Sequence, residues 1–263
     1  MKISNGQTKL KVAVHKFSSC DGCQLAFLNA GTDLLALADL VDIVHFVEAG
    51  MIDSEAEVDI AFVEGSITTE DEMQRIQTVR KNSRYLITIG ACATSGGLQS
   101  LRNVCDSQDW LASVYASPQF IDSLENVSSI AQHVRVDYEL WGCPVSTRQV
   151  FEVVRSLLFG VTPLVHEESL CLECKRSGNI CTLVSRSVPC MGPVTKTGCG
   201  ALCPSFGRDC YSCYGPSENP NTKSLVRRFQ GLGLLPEEIA RRFHHICNSA
   251  SEFVDVGKVS KHE

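Results

Sequence analysis

Fourteen of the 263 residues are cysteine, and their spacing points to chemistry. Cys20-Asp-Gly-Cys23 opens the series, followed by Cys92 in Gly-Ala-Cys-Ala-Thr-Ser-Gly-Gly and Cys143 in Gly-Cys-Pro. Then come Cys171-x2-Cys174-x6-Cys181-x8-Cys190 and Cys199-x3-Cys203-x6-Cys210-x2-Cys213. A Cys-x-x-Cys pair lets two thiolates reach one metal centre from a single turn, and each later set contains one. Twelve thiols thus fall into three groups of four, leaving Cys105 and Cys247 with no ligand spacing. Four thiolates suit an iron–sulfur cluster or a structural zinc ion.

Other chemistries use the same residues. Cys20 and Cys23 after a strand also read as a redox dithiol. Cys171-x2-Cys174 with Cys210-x2-Cys213 is a possible zinc pairing, although zinc leaves the intervening cysteines unexplained. Pro144 after Cys143 and Pro204 after Cys203 resemble the proline that follows cluster cysteines in ferredoxins, which favours iron and sulfide. Disulfides suit neither this length nor a reducing compartment. The seven histidines have no ligand spacing; His166, five residues before Cys171, is not expected to be a ligand.

The elements that must position these thiols follow from periodicity. Short β-branched runs predict strands near 11–15, 42–47, 58–63, 85–89 and 134–138. Helical patterns at 24–38, 70–82 and 147–159 alternate with them, as in a parallel α/β sheet. Cys20, Cys23, Cys92 and Cys143 then lie just beyond the carboxyl ends of strands one, four and five, on the edge where such sheets bind ligands. Small neighbours (Gly22, Ala91, Ala93, Gly142) would let backbone N–H groups approach cluster sulfurs. Glu64, after the third strand, falls on the same edge, as a neighbour of the cluster or as a loop cap.

Beyond residue 160 the texture changes. From Cys171 to Cys213, eight residues are Cys and only eight are Leu, Ile, Val or Phe. So few apolar side chains cannot offset the ordering entropy of the segment, so metal bonds must supply its core. Residues 223–243 regain a helical pattern, and 255–263 read as a frayed end. We expect two domains, 1–160 and 161–263: a flavodoxin-like doubly wound α/β sheet, then an irregular, cluster-stabilised unit with a C-terminal helix. No apolar run is long enough to span a bilayer, and a net charge of −6 without a basic stripe disfavours nucleic acid.

In order along the chain, Cys20-x2-Cys23, Val63-Glu64-Gly65-Ser66-Ile67, Gly90-Ala91-Cys92-Ala93, Gly142-Cys143-Pro144, Cys190-Met-Gly-Pro193 and Cys210-x2-Cys213 before Gly215-Pro216 resemble the small, electron-transferring subunit of nickel–iron hydrogenases. The group it resembles is the soluble cytoplasmic one that includes sulfhydrogenase δ subunits. The resemblance implies a proximal cluster on Cys20, Cys23, Cys92 and Cys143. It also implies a medial one on Cys199, Cys203, Cys210 and Cys213, and a distal one on Cys171, Cys174, Cys181 and Cys190. Periplasmic relatives place His at the first distal ligand and Pro near Cys203, so three 4Fe-4S clusters are expected here. The resemblance further implies a large partner chain holding the nickel–iron centre, and partners carrying FAD, NAD(P) and further clusters. The corresponding subunit of a deazaflavin-reducing or heterodisulfide-reductase-linked hydrogenase, and a zinc-stabilised interaction module, are the alternatives. The absence of a twin-arginine leader suits a cytoplasmic setting.

Overall fold

The structure, a computed structural model, describes residues 9–104 and 106–259; Cys105 lies outside them. Five strands, β1 (Leu10–Lys16), β2 (Val41–Phe46), β3 (Val58–Glu64), β4 (Ser83–Ile89) and β5 (Tyr138–Leu140), form one sheet in the order β2-β1-β3-β4-β5. Every pairing is parallel. This doubly wound order puts its switch between β1 and β3, where the chain leaves in opposite directions and opens a crevice. Central strands buried on both faces need near-continuous apolar sequence, and Ile60, Ala61, Phe62 and Val63 of β3 are fully buried.

Helices cover the sheet: α1 (Gly22–Leu28), α2 (Thr32–Ala38), α3 (Glu70–Lys81), α4 (Gly90–Ser95), α5 (Ser107–Val114) and α6 (Thr147–Leu158). In α3, the Thr69 side chain accepts from Glu72 N–H at the start, and Arg80 and Lys81 complement the dipole at the end. The single helix expected over 24–38 is two. Gly31 sits at φ 57 between them, a left-handed conformation that glycine adopts cheaply and that ends α-helical winding. The last strand begins later than expected. Asp137 N–H still donates to Leu86 O at 2.9 Å, but the Asp137 carboxylate takes the Leu86 N–H at 2.9 Å and the Arg80 guanidinium at 2.6 Å, so a side chain takes one half of the ladder there. Val134 and Val136 instead pack against the apolar layer beneath α3.

The second half contains α7 (Leu170–Arg176), α8 (Thr182–Ser185), α9 (Leu202–Ser205), α10 (Thr222–Gln230), α11 (Pro236–Phe243) and α12 (Ser251–Val259). The expected 223–243 helix is broken by Gly233 at φ 88 and restarted by Pro236 in the first turn of α11. The frayed end expected from 255 is helical as far as Val259, because buried Phe253 packs edge-on against Phe243 at 5.7 Å; residues 260–263 lie outside the described residues. Leu225, Phe229, Ile239, Phe243 and Phe253 make one apolar cluster with Cys190, Cys210 and Cys247. The cysteine-rich segment therefore borrows side-chain core from the three C-terminal helices.

Away from the thiols, His15 and His45 stack with ring centroids 4.7 Å apart and are nearly inaccessible. Burial, followed by His45 and Arg75, lowers the His15 pKa to about 3. The unfolded chain takes that proton near pH 6.5, so stability is intact above 6.5 and is lost as pH falls toward 3. Between pH 7.5 and 5.5 the loss from His15 should be about 1.4 kcal/mol. Denaturant unfolding of the full chain should show a shallower pH slope in His15→Gln; an unchanged slope would contradict this.

Candidate metal centres

The carboxyl ends of β1, β3, β4 and β5 converge on one edge, where the segments that follow β1, β4 and β5 carry Cys20 and Cys23, Cys92 and Cys143, and β3 ends in Glu64. After β1, Phe17 N–H donates to Glu64 O at 2.8 Å, and Ser18 and Ser66 exchange backbone bonds. That clamp turns the chain at Asp21, φ 63, so that Cys20 stands before α1 and Cys23 in its first turn. Glu64 is 2% exposed, and its carboxylate accepts from Cys23 N–H at 3.0 Å and Gln24 N–H at 3.1 Å. It satisfies two first-turn donors that the helix cannot, and so orients Cys23. Burial, the first cause, raises the Glu64 pKa against those bonds.

Glycines clear the space around the sulfurs. A Cβ on Gly90 would lie 2.4 Å from Cys23 Sγ, and one on Gly97 would lie 2.6 Å from Cys92 Sγ. Of the small residues singled out in the sequence, Gly22 does face a thiol, a Cβ there lying 3.3 Å from Cys20 Sγ, whereas Gly142 is covered by Tyr214. Val145 N–H donates to Cys23 Sγ at 3.4 Å, and the Cys92 thiol donates to Gln99 Oε1 at 3.1 Å. Burial first, with the neighbouring Cys143 and Cys20 sulfurs and Glu64 adding to it, pushes the Cys92 thiol up to about 12. Burial also raises Cys23, with Glu64, Cys92 and Cys143 adding to it, and Cys143, with Cys20 adding. The four thiols therefore share one neighbourhood. A bound cation reverses the effect of burial by deprotonating its thiols outright.

The other eight cysteines are also gathered. Burial first, with Cys190, Cys174 and Cys181 adding to it, pushes the Cys171 thiol up to about 11. A Cβ on Gly192 would be 3.5 Å from both Cys171 Sγ and Cys190 Sγ. Burial first, with Cys199, Cys143 and Cys203 adding to it, pushes the Cys213 thiol up to about 12. Cys210 stands at the seam between the two sets: its N–H donates to Cys190 Sγ at 3.2 Å, while Ser212 N–H donates to its own sulfur at 3.3 Å. Glu173, between Cys171 and Cys174, accepts from Thr197 Oγ1 at 2.8 Å and Gly198 N–H at 3.2 Å and so fixes the approach to Cys199. His166 is half exposed and pairs with Glu168 at 3.5 Å. Among the described residues, no three His, Cys, Asp or Glu side chains close on a point as they would around a single ion.

The two halves meet at a reciprocal aromatic-on-glycine contact that sequence reasoning did not reveal. Trp141 packs on Gly215, where a Cβ would lie 2.1 Å from the indole, and Tyr214 packs on Gly142, where it would lie 2.9 Å from the phenol ring. Tyr214 donates to Pro144 O at 3.3 Å, which sets Cys213 and Cys143 beside each other across the seam. Cys247, without spacing in sequence, is buried here, its thiol 3.7 Å from Cys213 O. Cleared thiols, backbone N–H groups on sulfur, and burial that only a bound cation offsets all fit metal clusters on these residues.

Residues 20–157 match the family described as NADH ubiquinone oxidoreductase, 20 Kd subunit. Sulfhydrogenase 2 subunit delta of Pyrococcus furiosus is 34% identical over 89% of this chain and 97% of its own length. A subunit of an F420-non-reducing hydrogenase of Methanocaldococcus jannaschii is 28% identical over 80% of this chain and 83% of its own. Among solved structures, an NAD+-reducing [NiFe]-hydrogenase in the H2-reduced state contains a chain that is 30% identical, with a TM-score of 0.54 over 60% of this chain and 95% of that one. No helix among the described residues is long and apolar enough to cross a membrane. The chain belongs to the NADH ubiquinone oxidoreductase 20 Kd subunit family and, within it, to the small subunits of hydrogenases.

Proposed function

We propose that this chain is the iron–sulfur relay of a nickel–iron hydrogenase in the cytoplasm, working beside a large subunit that holds the nickel–iron centre and partners that bind flavin and NAD(P). Membership in the hydrogenase small subunits implies iron–sulfur clusters and assembly with other subunits. The finer reading is a proximal 4Fe-4S site on Cys20, Cys23, Cys92 and Cys143. A medial one would use Cys199, Cys203, Cys210 and Cys213, and a distal one Cys171, Cys174, Cys181 and Cys190. The observation that carries it is the seam between sets: the Cys210 amide on the Cys190 sulfur at 3.2 Å, and Tyr214, next to Cys213, on the carbonyl of Pro144, next to Cys143. When bound, each cluster takes up and releases one electron, which makes a row of such sites a relay. The chain's own part is positional. Glu64 holds Cys23, Glu173 holds the approach to Cys199, and the aromatic-on-glycine contact sets the spacing between halves. The M. jannaschii relative favours a second reading, a hydrogenase of the F420-non-reducing kind, in which the acceptor differs while these residues do the same work.

The isolated, cluster-loaded chain should bleach in the visible when reduced by dithionite, yet show no hydrogen uptake or evolution. Hydrogen turnover by the highly purified chain, or a colourless zinc protein, would overturn the reading.

A further inference from the structure

Charge is unevenly distributed in this acidic chain. Between Cys174 and Asp209 there is no Asp or Glu, while Lys175, Arg176, Arg186, Lys196 and Arg208 all fall there. Lys196 turns inward over Trp141, its Nζ 5.4 Å from the ring centre. The other four are exposed, Arg176 pairing with Glu168 at 3.4 Å. Along this basic segment stand four large apolar side chains: Ile180 is 76% exposed, Val184 77%, Leu202 59% and Phe206 77%. Singly, exposed apolar residues need no explanation. These come as two pairs, each straddling a cysteine: Ile180 and Val184 around Cys181, Leu202 and Phe206 around Cys203. The Arg186 guanidinium donates to the Gly207 carbonyl, tying the end of α8 to the turn that leaves α9, so both pairs stand on neighbouring turns. Cys181 is itself exposed.

We infer that this surface docks an electron-carrying partner subunit whose own face is apolar at its centre and acidic at its rim. The inference rests on the relay reading above and adds where the partner sits and what charge it bears. An apolar centre excludes water from the contact, and a charged rim steers encounter and fixes orientation. Both surround thiols of the second half, where an exposed cysteine gives an electron a short way out. An anionic membrane surface could also match a basic, apolar patch, but it has no centre to exchange electrons with Cys181 and Cys203.

The test uses the whole complex, isolated through a tag on this chain. A carbodiimide joins an amine only to a carboxylate in contact with it, so Lys175 should couple to an Asp or Glu of an iron–sulfur or flavin-bearing chain, mapped by mass spectrometry. Val184→Glu with Phe206→Glu, and separately Lys175→Glu with Arg176→Glu, should raise the dissociation constant for that chain by about tenfold or more. They should leave nickel content and hydrogen-driven viologen reduction unchanged. Retention of every chain by both variants would overturn the inference. So would coupling of Lys175 to the nickel-bearing chain, or sedimentation of the complex with phosphatidylglycerol vesicles through these residues. A complex whose wild type cannot reduce viologen with hydrogen would overturn the relay reading, and this inference with it.

Discussion

Hydrogen-driven reduction of an acceptor served by the far clusters should fall on the order of a hundredfold or more when Cys143 is replaced by Ala in the assembled hydrogenase. Removing a residue that merely orients a metal ligand costs tenfold to a hundredfold, and Cys143 is proposed as a ligand itself. Its position also makes the effect large. Its thiol neighbours Cys20, and its sulfur lies near enough to Cys213 to raise that thiol, so it belongs to the first set and stands against the second. Iron should fall by about one atom per chain, or by about four if the whole cluster is lost, since a cube deprived of one thiolate has an iron held only by sulfide. Cys105→Ser is the comparison, because Cys105 has no ligand spacing. Equal loss in the two variants would contradict the grouping of the cysteines.

Gly215→Ala should destabilise the chain by about 2–4 kcal/mol, by overpacking together with a left-handed backbone at a residue that now has a Cβ. The added carbon would lie 2.1 Å from Trp141 Cε3 and 2.4 Å from Cζ3, at φ 69. Neither the backbone nor the indole can yield cheaply. Trp141 donates through Nε1 to Glu139 Oε2 at 3.0 Å, and Lys196 lies over its ring. Because this contact joins the first four cysteines to the last, electron transfer between the halves should slow beyond what the loss of stability explains. Trp141→Leu in the same chain makes room and should restore part of both. Denaturant unfolding and single-turnover reduction measure the two effects; a Gly215→Ala chain within about 0.5 kcal/mol of wild type would contradict this account of the contact.

The sheet was legible because β1, β3 and β4 are apolar runs of strand length with turn residues on either side, and a parallel core leaves no other place for them. The Cys-x-x-Cys pairs stand out in the sequence because their spacing is local, and the grouping of the cysteines into three sets is a proposal. What periodicity could not show was set by tertiary contacts. The break at Gly31 depends on one positive φ within a continuous helical pattern. The late start of β5 depends on the Asp137 carboxylate reaching a backbone N–H 51 residues away. Glu64 was visible as a carboxylate on the right edge, but its hold on Cys23 and Gln24 emerges only when β3 and α1 are side by side. The pairing of Trp141 with Gly215 and of Tyr214 with Gly142 leaves no periodic trace at all. Cys247 was set aside for want of spacing, though its thiol ends up against the Cys213 carbonyl.

Iron and acid-labile sulfide, counted per chain in anaerobically reconstituted protein, test the central claim most directly. Three clusters on the twelve grouped cysteines require about twelve of each, with a brown absorption band from sulfide-to-iron charge transfer. A chain that binds stoichiometric zinc with little iron, or saturates at about four iron atoms, would contradict the account.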